Sequence, residues 1–180
     1  MVSAALLELE RHDWSGFRCG CGRSAAHIPE IFRKLLDANS PEDAIGYRLD
    51  GHLEIQSMLF EAAVPAVPVI LASLTEELAL FARSHLLVTL LFLVSGESHS
   101  SELAAGREGL SDECYEKARE GLWVLYREAV SGDTENALDI LEIIEEDEFR
   151  FAAFRAALQE RLAKQQKRGS HGGRRGNGEP

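Results

Sequence analysis

Apolar residues recur three or four positions apart along most of the chain, which is the spacing of an amphipathic helix. No stretch shows the alternation of apolar and polar residues that is typical of a strand, so the pattern predicts an all-α protein. Connections are short apart from two glycine-containing polar stretches, residues 13–24 and 95–109, the second with an expected helical turn at Ser101–Ala105. The eight or nine predicted helices cover about 3–12, 28–37, 40–50, 52–63, 65–74, 75–94, 111–130, 134–145 and 148–166.

The longest nearly uncharged run extends from Gln56 to Leu71 and has Glu61 as its only ionisable residue. It also contains Pro65 and Pro68, and proline interrupts helical hydrogen bonding. We therefore expect one helix to end near Ala63, a tight buried corner, and a second helix to start at either proline. Helix pairs joined in this way predict a degenerate α-solenoid, a right-handed superhelical stack of antiparallel pairs.

A length of 180 residues and 45% apolar residues predict one helical-repeat domain, residues 1–166. The remaining residues, 167–180, form a basic glycine-rich tail that we expect to be disordered. The net charge is −11, and residues 109–148 alone hold 13 acidic but 3 basic side chains. This charge makes nucleic acid, including the DNA bound by some helical-repeat repair proteins, an unlikely partner class and favours a basic protein.

The chain begins without the pattern of a signal peptide. Its most apolar predicted helix, Leu78 to Val94, contains Arg83 and is shorter than the roughly 20 apolar residues that span a bilayer. Three cysteines are too few for a disulfide framework. We therefore expect a cytoplasmic, reduced protein with no membrane contact, whose oligomeric state the sequence leaves open.

Two segments, residues 21–36 and 55–71, together resemble a bacterial family of HEAT-repeat-like (PBS-lyase-HEAT-like) proteins common in actinomycetes. The resemblance implies a helical-repeat fold, no established enzyme activity, and a role similar to that of immunity proteins or scaffolds. The sequence departs from the family pattern at Cys21, His27, Ile55 and Ser57. The matching residues are Trp14, Gly22, Ile28 and Pro29 in the first part and Gln56, Glu61, Ala62, Ala63, Ala66, Val67 and Pro68 in the second.

Cys19, Cys21 and His27 follow one another in a glycine-rich loop and could be metal ligands, since thiolate and imidazole suit zinc. However, Cys-x-Cys is not the usual Cys-x-x-Cys spacing, and the sequence offers no evident fourth ligand. The favoured interpretation is a glycine loop with two small residues packed under a helix, with His27 at the start of that helix or at the surface. No metal or other cofactor is therefore expected.

Four polar residues in and near the apolar segments are candidates for a ligand groove: His52, Gln56, Glu61 and His85. On a helix, His52 and Gln56 would share a face. Glu61 needs a partner such as Arg23 or Arg48, or a place facing a groove, because unpaired carboxylates are rarely buried. For His85, a hydrogen-bonded core histidine is the alternative.

An acidic cluster near the C-terminal helices is either a solvated helix end or a docking surface for a basic protein. The sequence contains no phosphate-binding loop, nucleophile elbow or zinc-protease motif. We therefore expect a non-enzymatic protein-binding module, for example an immunity protein that neutralises a basic toxin, or a scaffold. The alternative is an enzyme or accessory protein of small-molecule biosynthesis with a pocket near Pro65 and Pro68. The residues of the acidic cluster, which is the candidate docking surface for a basic protein, are Glu142, Glu145, Glu146, Asp147 and Glu148.

Overall fold

The computed structural model describes residues 3–172, and the side chains of residues 3–166. The chain divides into two units, Met1–Ile144 and Glu145–Pro180. Most of the described residues are helical, which confirms the all-α prediction. The helices are α1 (Ala4–Glu10), α2 (Ile28–Asp37), α3 (Ala63–Ser73), α4 (Leu80–Ser95), α5 (Ser100–Ala104), α6 (Leu110–Arg119), α7 (Leu122–Ser131), α8 (Thr134–Ile144) and α9 (Glu148–Gly172).

Helices α3 and α4 form the centre of the first unit. Helix α3 packs against α1, α4 and α6, while α4 also packs against α6 and α8, and α7 lies along α8. Both central helices are apolar around most of their circumference, which is what a helix covered on several sides requires. None of the described helices is both long enough and apolar enough to cross a membrane.

The predicted corner at the prolines does not form. A single helix, α3, runs from Ala63 to Ser73 with Pro68 inside it. Pro65 lies in the first turn, where backbone N–H groups have no partner within the helix, so it removes no hydrogen bond there. Burial of nearly every side chain of α3 compensates for the one bond that Pro68 removes.

The predictions of a helix over residues 52–63 and of no strands are both wrong. Strands β1 (Glu54–Ile55) and β2 (Met58–Leu59) form an antiparallel hairpin, and β2 pairs in parallel with β3 (Glu97–Ser98). The two residues of the hairpin turn, Gln56 and Ser57, have φ of 53° and 63°. Such a left-handed pair matches the right-handed twist of short hairpins, and the Glu54 carboxylate holds it by accepting the Ser57 N–H at 2.7 Å.

The predicted helix over residues 40–50 is reduced to a short 3₁₀ turn, Pro41–Ala44. The side chain of Asp43 accepts the backbone N–H of Ser40 at 3.0 Å. The predicted cap at Ser40 therefore forms, although no α-helix follows it. Gly46 and Gly51 both have positive φ, which ends helical geometry twice within ten residues.

The predicted helix over residues 111–130 is two helices, α6 and α7, separated at Gly121. A side chain at Gly121 would collide with Leu71 of α3, so the close approach of these helices requires glycine there. The helical turn expected at Ser101–Ala105 is confirmed as α5.

The second unit is built on α9, which starts at the predicted position and continues beyond Gln166 to Gly172. The last part of the predicted tail, residues 173–180, lies outside the described residues. The domain organisation predicted from the sequence, one domain over residues 1–166, stays a prediction.

Candidate metal centre

Four side chains with metal-binding atoms meet beside the N-terminus of α2. Cys19 and Cys21 come from the glycine-rich loop, His27 ends the 3₁₀ turn that leads into α2, and His52 precedes β1. One donor atom from each of the four lies within 4.8 Å of all the others. The cluster therefore combines the three metal candidates predicted from the sequence with His52, which is predicted there for a ligand groove.

Five of the six separations between these atoms lie within about 0.5 Å of the edges of a tetrahedron around a zinc ion, and the sixth, between Cys21 and His52, is at most 4.8 Å. The sulfur atoms of Cys19 and Cys21 are 3.3 Å apart, and His27 Nε2 and His52 Nδ1 are 3.0 Å apart. Cys19 Sγ lies 3.3 Å from His52 Nδ1 and 3.7 Å from His27 Nε2. Ordinary Zn–S and Zn–N bonds give tetrahedral edges of about 3.8 Å for S–S, 3.5 Å for S–N and 3.3 Å for N–N.

The loop that carries the cysteines is a tight hairpin. The backbone of Cys19 donates to the carbonyl of Arg23 at 3.2 Å, and its own carbonyl accepts the N–H of Gly22 at 2.9 Å. Gly22 has a φ of +79°, which favours glycine at that turn position. This turn places the sulfur atoms of both cysteines within 4 Å of His27 Nε2, at 3.7 Å for Cys19 and 3.9 Å for Cys21.

A single backbone contact brings the His52 segment to this loop. The N–H of Gly20 donates to the carbonyl of His52 at 2.8 Å. A side chain at Gly20 would lie 2.8 Å from the Gly51 carbonyl and 2.9 Å from the Phe60 ring, so the approach depends on glycine. Packing therefore requires glycine at position 20, and the turn favours glycine at position 22.

The surroundings of the two thiols differ. Burial is the main influence on Cys19 and raises its pKa to about 11, although the backbone of Cys21 donates to it. Burial also opposes ionisation of Cys21, but hydrogen bonds from the backbone of Arg23 and from Cys19 outweigh it and lower the pKa. Backbone N–H groups directed at cysteine sulfur stabilise thiolate, the form that binds metal.

His52 is prepared to act as a neutral ligand. Burial, followed by the nearby His27 and Arg23, lowers the pKa of His52. An uncharged imidazole is the metal-binding form, so no proton has to be displaced from it near neutral pH. Two thiolates and two imidazoles make a complete tetrahedral set, which is typical of structural rather than catalytic zinc.

Three residues of the cluster, Cys19, Cys21 and His27, are metal candidates in the sequence, although no metal is expected there, and His52 is not among them. His52 was predicted to share a helical face with Gln56, whereas the structure has no helix there and puts Gln56, exposed, at the hairpin turn. The two histidines are far apart in the sequence and follow no zinc-finger spacing. The only available signal was the residue type itself.

Glu61 lies beside the metal cluster in a network of ion pairs. Its carboxylate accepts from Arg107 at 3.0 Å and from the backbone of Arg18 at 3.2 Å. The side chain of Arg18 in turn donates to the buried Glu102 of α5, with its shortest bond at 2.6 Å. The expectation that Glu61 needs a partner is therefore met, but by Arg107 and Arg18 and not by Arg23 or Arg48.

His85 lies apart from the cluster, half-buried in an open groove of about 330 Å³. Its Nε2 faces the backbone N–H of Leu49 at 3.5 Å, a long contact. The groove walls are mainly apolar and include Ile45 and Phe81, whereas His52, Gln56 and Glu61 do not line it. The structure thus distributes the four predicted groove residues over different environments.

The acidic cluster divides between the two units. Glu142 lies exposed on α8 in the first unit, whereas Glu145 in the second is buried and paired with Arg150 at 2.6 Å. The Asp147 carboxylate accepts the backbone N–H of Arg150 at 2.9 Å, close to the start of α9. The exposed members of this acidic cluster in the second unit are Glu146, Asp147 and Glu148.

Comparisons with models of protein families, with curated proteins and with solved structures gave no match to this chain. The assignment of the site therefore depends on its geometry alone.

Proposed function

We propose that this protein is a non-enzymatic protein-binding module whose N-terminal part is held in place by a structural zinc ion. The observation that carries the proposal is the convergence of Cys19, Cys21, His27 and His52 within 4.8 Å. Two sulfur and two nitrogen donors in tetrahedral arrangement suit zinc, since magnesium and calcium prefer oxygen ligands. Four protein ligands leave no position for a substrate, which supports a structural role.

The arrangement of helices in this proposal is a degenerate HEAT-like solenoid. Its support is the resemblance over residues 21–36 and 55–71 and the adjacent packing of successive helices α3 with α4 and α7 with α8. A surface for a protein partner is the usual role of such a fold. The partner class is a basic protein, because the chain carries a net charge of −11 and an excess of acidic side chains over residues 109–148.

Metal content tests the first part of the proposal. Protein purified without chelator should contain one zinc ion per chain when its metal content is measured by elemental mass spectrometry. Replacement by Co²⁺ should give the visible bands of a tetrahedral ion together with thiolate charge-transfer absorption. His52→Ala should lose most of the metal, whereas His85→Ala, a change in a histidine outside the cluster, should keep it. Equal zinc in both variants would contradict the assignment.

Capture of a partner tests the second part. The native chain should retain a basic protein from lysate of its own organism, and added salt should weaken the complex. Charge reversal at Glu146 and Glu148 should reduce capture without unfolding, since both side chains are exposed. Unchanged capture would show that Glu146 and Glu148 are not part of the docking surface. Catalysis by the purified chain would contradict the non-enzymatic assignment.

A further inference from the structure

The two cysteines of the cluster differ sharply in their access to solvent. Cys19 is 3% exposed, whereas Cys21, two residues later, is exposed. Their sulfur atoms are nevertheless 3.3 Å apart. A small oxidant from solvent therefore reaches Cys21 first, and the sulfur atom of Cys19 is close enough to react with the oxidised Cys21.

The backbone between the two cysteines permits a disulfide. The hydrogen bond from Gly22 to the Cys19 carbonyl, 2.9 Å long, closes a turn over these residues. Inside such a turn the Cα atoms of Cys19 and Cys21 are about 5.5 Å apart, the usual separation in a disulfide. Gly20 between them has no side chain that would oppose the closure.

We propose that the centre is redox-sensitive: hydrogen peroxide oxidises Cys19 and Cys21 to a disulfide, and the metal is released. This inference rests on the zinc site proposed above. It adds a regulatory property to that site, because a disulfide sulfur is a poor metal ligand and His27 and His52 alone form an incomplete set.

Each step of this oxidation balances. The Cys21 thiolate attacks the peroxide, the O–O bond breaks, and a sulfenic acid and hydroxide form. The Cys19 sulfur then attacks the Cys21 sulfur, an S–S bond forms, and the S–O bond breaks with loss of a second hydroxide. Two thiolates are oxidised, one peroxide is reduced, and two protons convert the hydroxides to water.

Release of the metal would alter the contact between two segments of the first unit. Without the metal, residues 19–27 and His52 are joined by the backbone bond from Gly20 to the His52 carbonyl. Amide exchange should therefore increase in both segments on oxidation. Arg18 precedes this loop and is bound to Glu102, so α5 should be affected next.

The test uses the full chain loaded with zinc and treated with hydrogen peroxide. Released zinc is measured with a chromogenic chelator, and the disulfide is identified by peptide mass spectrometry. We expect one zinc released for each disulfide between Cys19 and Cys21, and recovery of zinc binding after reduction with dithiothreitol. Zinc retained under peroxide, or released with over-oxidised Cys21 and no disulfide, would overturn the inference.

Two variants separate this inference from the zinc assignment. Cys114→Ala removes the buried thiol of α6, which lies outside the cluster, and should leave release unchanged. Cys21→His retains a ligand but cannot form the disulfide, so peroxide should no longer release stoichiometric zinc. If Cys21→His binds no zinc, the native chain provides the test. Zinc binding that returns after reduction with dithiothreitol supports the disulfide, and zinc binding that does not return contradicts it. An untreated chain without zinc refutes the proposed function, whereas bound zinc indifferent to peroxide refutes only the redox inference.

Discussion

Removal of the metal should lower the stability of the first unit by an amount that follows from the chain length it closes. The zinc ion would join Cys19 to His52 and so close a loop of about 34 residues. Treated as a covalent cross-link, a loop of that size restricts the unfolded chain by about 4 kcal/mol. Zinc bound to cysteines of the unfolded chain in the sample without chelator would make the measured difference smaller than this figure.

The expected change in melting temperature is large enough to measure. For a chain of this size, 1 kcal/mol corresponds to about 2–4 °C, so 4 kcal/mol corresponds to about 8–16 °C. The assay is thermal unfolding followed by circular dichroism, with and without a strong chelator. The native chain should lose this stability in chelator, and His52→Ala should melt near the chelated native chain under both conditions.

Two results would refute the reasoning. A native chain that contains zinc but melts at the same temperature in chelator would mean that the metal has no structural role. A His52→Ala variant that still responds to chelator would place the metal on other ligands. His85→Ala is the matched control, since that histidine is half-buried and lies outside the cluster, so its response to chelator should equal that of the native chain.

Three further predictions follow from individual contacts. Gly20→Ala should destabilise the protein by about 1–3 kcal/mol in denaturant unfolding, because its Cβ would meet backbone and ring atoms at 2.8–2.9 Å, while Gly16→Ala, with open space, should be nearly neutral. Glu102→Gln should cost about 1–3 kcal/mol in the same assay, since it removes the buried charge that binds Arg18; an unchanged midpoint would contradict this. Burial lowers the pKa of His85, so its contribution is present above the unfolded pKa and lost as pH falls below about 6.5; unfolding of His85→Gln should therefore depend less on pH between 7 and 5.

The sequence predicts helices well where the whole helix is amphipathic or capped. Helices α2 and α8 begin and end close to the predicted residues, because Pro29 and Thr134 mark their starts and the apolar stripe is continuous. The long apolar helix α4 ends one residue after the predicted end, but it starts at Leu80 and not at the predicted Thr75. These features are local, so periodicity and capping suffice to find them.

The prediction fails where tertiary contacts decide the conformation. The run from Gln56 to Leu71 contains the strand β2 and most of the single helix α3, although its two prolines suggested a corner. Strand β2 pairs with residues about forty positions away, and burial overrides the cost of Pro68. A pattern within ten residues cannot report either effect.

The metal cluster shows the same limit at the level of side chains. The cysteines and His27 lie within nine residues and could be grouped from the sequence. His52 joins them only because Gly20 allows two backbones to approach closely. A ligand whose position is set by that approach has no spacing signal.

The location of the cluster gives the structural role its physical basis. Between α2 and α3 the chain runs for 25 residues with one short 3₁₀ turn and a two-residue-strand hairpin. Connections longer than about 12–15 residues are unusual inside a domain, because ordering them costs entropy that little packing returns. His52 lies past the middle of this connection, and a metal bond there would fix it to the loop before α2. Leu49, Leu53 and Leu59 anchor the connection in the core, and a zinc ion at His52 would add a second attachment. Loss of the metal should therefore loosen this connection before it affects α3 or α4.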